Sequence, residues 1–96
     1  MKKNEILELL EEVQHPAIAY SLLKLGILTD VQITEKQVDA VFAFPFPNIP
    51  IADKLINSVK ITLENFNIGF NYTTRLMTEE EKQRFLKLEH EAWKGL

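Results

Sequence analysis

The chain has 96 residues, 46% of them hydrophobic and 26% charged, with a formal net charge of −3 and no cysteine. That length gives one domain with a single modest core. The acidic balance disfavours general nucleic-acid binding, and the missing thiols exclude disulfides and cysteine-ligated zinc or clusters.

Asn4 reads as the N-cap of a first helix, in which Ile6, Leu9, Leu10 and Val13 recur at helical spacing. Glu5, Glu8, Glu11 and Glu12 break any apolar leader after Met1-Lys2-Lys3, so no signal peptide is expected. No apolar run reaches bilayer-spanning length, and the expectation is a cytoplasmic protein with no membrane partner. His15-Pro16 predicts the end of the first helix, because proline disfavours the α region for the residue before it.

Ala17 to Leu25 reads as a turn or a single helical turn, closed by Gly26 in a left-handed conformation. Residues 27–33 predict a first strand and 37–44 a second, joined through Thr34-Glu35-Lys36. Val38, Ala40, Phe42 and Phe44 share one face of the second strand. Val41 and Ala43 make its other face partly apolar, which predicts a central position.

Pro45-Phe46-Pro47-Asn48-Ile49-Pro50 is a rigid, mostly apolar loop. It feeds a second long helix with Pro50 at the first helical position and Ile51, Leu55, Ile56, Val59, Leu63 and Phe66 as the apolar stripe. Asn67-Ile68-Gly69 stops that helix, and residues 70–76 predict a third strand. Thr78 and Glu81 have capping-box spacing. They open a last helix that carries Phe85, Leu88, Ala92 and Trp93 and ends at Lys94-Gly95. The expected fold is α+β: a small three-stranded sheet with helices on one face, in the order α-β-β-α-β-α.

Three segments resemble the iron–sulfur cluster assembly domain of the SufT, PaaD and Mrp N-terminal type. His15-Pro16-Ala17, running on to Leu25-Gly26-Ile27-Leu28, parallels the family's Asp-Pro-Glu and Leu-Gly-Leu-Val. Pro47-Asn48-Ile49-Pro50-Ile51-Ala52-Asp53 parallels Pro-Gly-Cys-Pro-Leu-x-Asp, and Met77-Thr78-Glu79-Glu80 parallels Met-Ser-Glu-Glu. The resemblance spans nearly the whole chain and implies a NifU C-terminal-like fold. It also marks the departures. His15 and Ala17 replace Asp and Glu, Pro45 replaces a Thr, Asn48 replaces Gly, and Ile49 replaces the reactive cysteine.

A thiolate ahead of a helix N-terminus can ligate iron or attack an electrophile. An alkyl group can do neither. The expectation is therefore a protein without enzyme activity or cofactor, acting as an adaptor. Phe46, Ile49 and Pro50 would form its contact patch, and the partner would be iron–sulfur assembly machinery or an apo-protein.

Several residues keep two readings. His15 is a metal ligand or acid–base group, or a packed turn residue. Asp53 is a functional carboxylate, or one that only complements the helix dipole. Phe46 and Ile49 are an exposed patch, or plugs of the old pocket. Trp93 is a partner anchor, or closes the core. His90, between Glu89 and Glu91, reads as part of a solvated face. A small metal-binding protein or enzyme using His15 and Asp53 is one alternative function, and a homo-oligomerisation module is another.

Overall fold

The computed structural model describes residues 1–94. Helix α1 runs Lys3–Glu11 and buries Ile6 and Leu10. Its cap is Lys2 rather than Asn4. The Glu5 carboxylate reaches back to accept the Lys2 backbone N–H at 2.9 Å, and the Lys2 carbonyl accepts the N–H groups of Glu5 and Ile6. The helix also ends before the proline acts. Downstream, Val13 accepts from Leu22 N–H and His15 N–H donates to Tyr20. This pairing, with a Gln14–Ser21 bridge, draws the chain out of the helix and folds residues 13–22 into a closed loop.

Helix α2 is the single turn Leu22–Leu25, capped by Ser21 Oγ accepting from Lys24 N–H. Gly26, at φ 79°, terminates it. Ile27 N–H donates to Leu22 and Gly26 N–H to Leu23, the paired closure that a left-handed residue permits.

Strands β1 (Leu28–Thr34) and β2 (Gln37–Phe44) are antiparallel across the Glu35-Lys36 turn. Helix α3 (Ala52–Glu64) crosses over to β3 (Gly69–Leu76), which runs parallel to β2. The strand order is β1-β2-β3, so β2 is central as expected. Helix α4 (Glu79–Ala92) completes the fold, its cap formed by Thr78 and Glu81 as the spacing predicts.

The two sheet faces differ. Val38, Ala40, Phe42 and Phe44 are buried and join Leu55, Ile56, Val59 and Leu63 of α3 in one core. Asp39, Asn71, Thr73 and Arg75 on the opposite face are exposed. In register with the buried set lie Phe70, Tyr72, Thr74 and Leu76 of β3. The rings of Phe70 and Tyr72 stand edge-on to Phe42 at 6.1 and 5.5 Å, a favourable aromatic geometry. The helices do not cover this edge fully, since Tyr72 and Leu76 remain exposed.

The end of α4 departs from its sequence pattern. Helical geometry stops at Ala92, and Trp93 is extended. Ala19 N–H donates to Ala92 and Lys94 N–H to Ala17, so the C-terminal segment lies antiparallel to residues 17–19 with an Ile18–Trp93 bridge. The pairing turns Trp93 outward to 53% exposure, which corrects its reading as a core-closing residue. Gly95, expected at the helix end, lies outside the described residues.

Candidate functional site

The proline loop leaves the central strand after Phe44. Phe44 O accepts Met77 N–H at 2.8 Å, which ties the loop's start to the end of β3. Asn48 takes a left-handed φ of 58°, a conformation asparagine tolerates better than most residues. Ala52 N–H donates to Ile49 O, and regular helix begins at Ala52. Pro50 thus sits in the turn before α3 and not at its first helical position. The tight Ile49–Ala52 closure absorbs the two intervening residues.

The loop separates two hollows. One, of about 180 Å³, lies between the loop, the His15–Ala17 turn and α4. It is walled mainly by Ile27, Phe44, Ile49, Leu55 and Phe85, with Trp93 at its rim. The other, of about 380 Å³, is shallower and lies on the β3 side, against Asn48, Ile49, Asp53, Ile56 and Leu76. Ile49 is half-buried between them. Phe46 is 44% exposed, and the ammonium of Lys82 sits 4.5 Å from its ring centroid. Phe46 and Ile49 both line the hollows, and Phe46 also presents part of its ring to solvent.

His15 is a buried polar residue, 7% exposed. Its Nδ1 accepts the Ala17 backbone N–H at 3.0 Å. This bond assigns the neutral tautomer: the proton resides on Nε2. Burial, and then the charge of Lys94, push the imidazole pKa below its ordinary 6.5. With Nδ1 occupied and Nε2 carrying a hydrogen, the ring donates from Nε2 and offers no lone pair to a metal.

His15, Ala17, Pro45, Phe46 and Ile49 thus meet around the first hollow. Asp53 does not join them. It is exposed at the first turn of α3 and borders the second hollow, so His15 and Asp53 do not converge as a shared acid–base or metal site would require. Pro16 and Pro50 are exposed and line neither hollow. His90 is exposed, as its neighbours predict.

Sequence reasoning missed the α4 wall, Phe85 and Glu89, because nothing local links that helix to the turn at His15. It also missed a surface cluster. Arg75 donates to both Glu81 carboxylate oxygens, at 2.7 and 3.0 Å, and lies 3.9 Å from Asp30. The Arg75 hydrogen bond, followed by the Thr78 backbone N–H, holds the Glu81 carboxyl down at about 2.

No family model matches the chain, and no curated protein matches it. Among solved structures, the fold is similar to that of the crystal structure of a Domain of Unknown Function, DUF59, from Bacillus anthracis. The TM-score is 0.67 at 18% identity, and the match covers 90% of each chain. At that identity the likeness concerns the fold. It agrees with the α+β architecture expected from the sequence.

Proposed function

We propose that this chain is a divergent domain of the iron–sulfur assembly type that acts by protein contact rather than through sulfur chemistry. DUF59, the type of the similar structure, corresponds to the family that the sequence resembles. The observation that carries the reading is the proline loop. It keeps a left-handed turn and a docked helix start, yet it offers Ile49 where the family has its thiol, with an exposed Phe46 beside it. A rigid aromatic loop loses little entropy on binding, and aromatic anchors dominate interface energetics.

Two experiments test the proposal. Anaerobic incubation with iron and sulfide should give no stoichiometric, visibly absorbing cluster; formation of one overturns the contact-only reading. Affinity capture from the native host should retain iron–sulfur assembly proteins with the parent chain and lose them with Phe46→Asp. Equal capture by both chains overturns the role given to the loop.

A second reading, self-association, is favoured by a separate observation. Among the described residues strand β3 is paired on one side only, it carries no proline, and its Tyr72 and Leu76 are exposed; such strands invite pairing. Sedimentation equilibrium would show a dimer that Thr73→Pro abolishes. A strict monomer at high concentration removes this reading.

A further inference from the structure

We propose that the hollow beneath the proline loop binds an uncharged, largely apolar small molecule carrying one hydrogen-bond acceptor, which docks on the Nε2–H of His15. The inference goes beyond the adaptor role, since it uses the inner side of the loop while protein contact uses the outer side.

Size comes first. At about 180 Å³ the hollow slightly exceeds an engineered protein cavity of about 150 Å³ that takes up benzene. It has room for one ring and a short substituent. Its walls are chiefly alkyl and aromatic, from Ile27, Ile49, Leu55 and Phe85. Such walls hold water poorly and favour apolar guests.

Chemistry comes from His15. Among the described residues it is the buried polar side chain, and it lines this hollow. Its Nδ1 is taken by Ala17 N–H, and its Nε2 has no hydrogen-bond partner among the described residues. Among the described residues no buried side-chain nitrogen or oxygen is both sealed and unpaired, so there Nε2 stays within reach of solvent. A guest without an acceptor seals that donor off from solvent at a cost, and a guest that supplies one avoids the cost.

Charge narrows the class. A neutral imidazole gives an anion no ion pair, and a cation meets its Nε2–H donor rather than a lone pair. The opposite charges of Glu89 on the α4 wall and of Lys94, which acts on His15, offset one another, so neither sign is favoured. A neutral ketone, aldehyde, ester or amide with an apolar body fits both constraints.

The test titrates the full isotope-labelled chain with acetophenone and with ethylbenzene, which has the same skeleton without the carbonyl oxygen. Amide NMR shifts give the affinities. Both probes should bind saturably around the loop, with acetophenone about tenfold tighter, the worth of one hydrogen bond. The His15 Nε2–H signal should move with the ketone alone. His15→Asp keeps an acceptor for Ala17 N–H and, ionised, carries no donor, so the two affinities should become equal. Ile49→Trp fills the hollow and should abolish both. If that variant does not fold, the affinity ratio and the Nε2–H signal in the parent chain decide the matter. Absence of saturable shifts, equal affinities in the parent chain, or a preference that survives in His15→Asp overturns the proposal.

Discussion

Lowering the pH across the histidine range should destabilise this protein through His15. The unfolded imidazole titrates near 6.5, whereas in the folded state burial and Lys94 hold the pKa below that value. The folded chain therefore binds fewer protons between the two pKa values. Stability from this group is fully present above 6.5 and is lost as pH falls toward and through the folded pKa. Structure supplies a second reason: protonating Nδ1 would break the bond from Ala17 N–H and leave that buried amide unpaired. The steepest slope one proton allows is about 1.4 kcal/mol per pH unit. Urea unfolding at half-unit steps from pH 8 to 5 measures it. Other groups titrate in the same window, so the informative quantity is the difference from His15→Asn, in which the local turn persists and the titration is gone. The parent curve should fall more steeply than the variant's below pH 6.5. Parallel curves would refute the buried neutral imidazole.

Other substitutions probe separate links. Phe42→Ala empties the centre of the sheet, where the ring is fully buried against Phe44, Phe70 and Tyr72; it should cost about 3–5 kcal/mol in urea unfolding. Gly26→Ala imposes a Cβ at φ 79° where no neighbouring atom lies closer than 3.7 Å. Its cost of about 1 kcal/mol should therefore be conformational and not steric. Glu81→Gln weakens the Arg75 pair and leaves the cap contact; being at the surface it should lose only about 0.5–1 kcal/mol, and its effect should shrink in high salt. Phe46→Asp should leave stability within about 0.5 kcal/mol of the parent, so any lost binding in that variant reports on contact.

The fold was largely legible because its signals are local. The positive φ at Gly26, the Thr78–Glu81 box and the alternating face of β2 each rest on residues within a few positions of one another. Misreadings arose where another partner competes, a neighbouring side chain in one case and distant backbone in the others. Asn4 lost the cap to Lys2 once the Glu5 side chain was available. The first helix stopped short because Val13 and His15 pair with Leu22 and Tyr20. Trp93 turned outward because Lys94 and Ala92 bond to Ala17 and Ala19. The site was half legible. The loop's residues could be named, but the cavity exists only because α4 arrives from about 70 positions away to wall it with Phe85 and Glu89.

Set beside the motif that the sequence resembles, two of the departures serve the backbone, and under the proposed function this constrains what the remaining ones mean. In a motif of the Asp-Pro-Glu kind, a side chain ahead of proline can accept the N–H two residues on, the geometry of an Asx turn. His15 Nδ1 makes that contact with Ala17, so the turn forms here without a carboxylate. Asn48, which stands where the resembled motif has Gly, takes φ 58°, a conformation open to both residue types. Ala17 and Ile49 differ in kind: each puts an apolar group on the wall of the hollow where the resembled motif has a carboxylate and a thiol. A left-handed turn at Asn48 beside an apolar lining fits the proposed function, in which loop and hollow make contacts without ionisable groups.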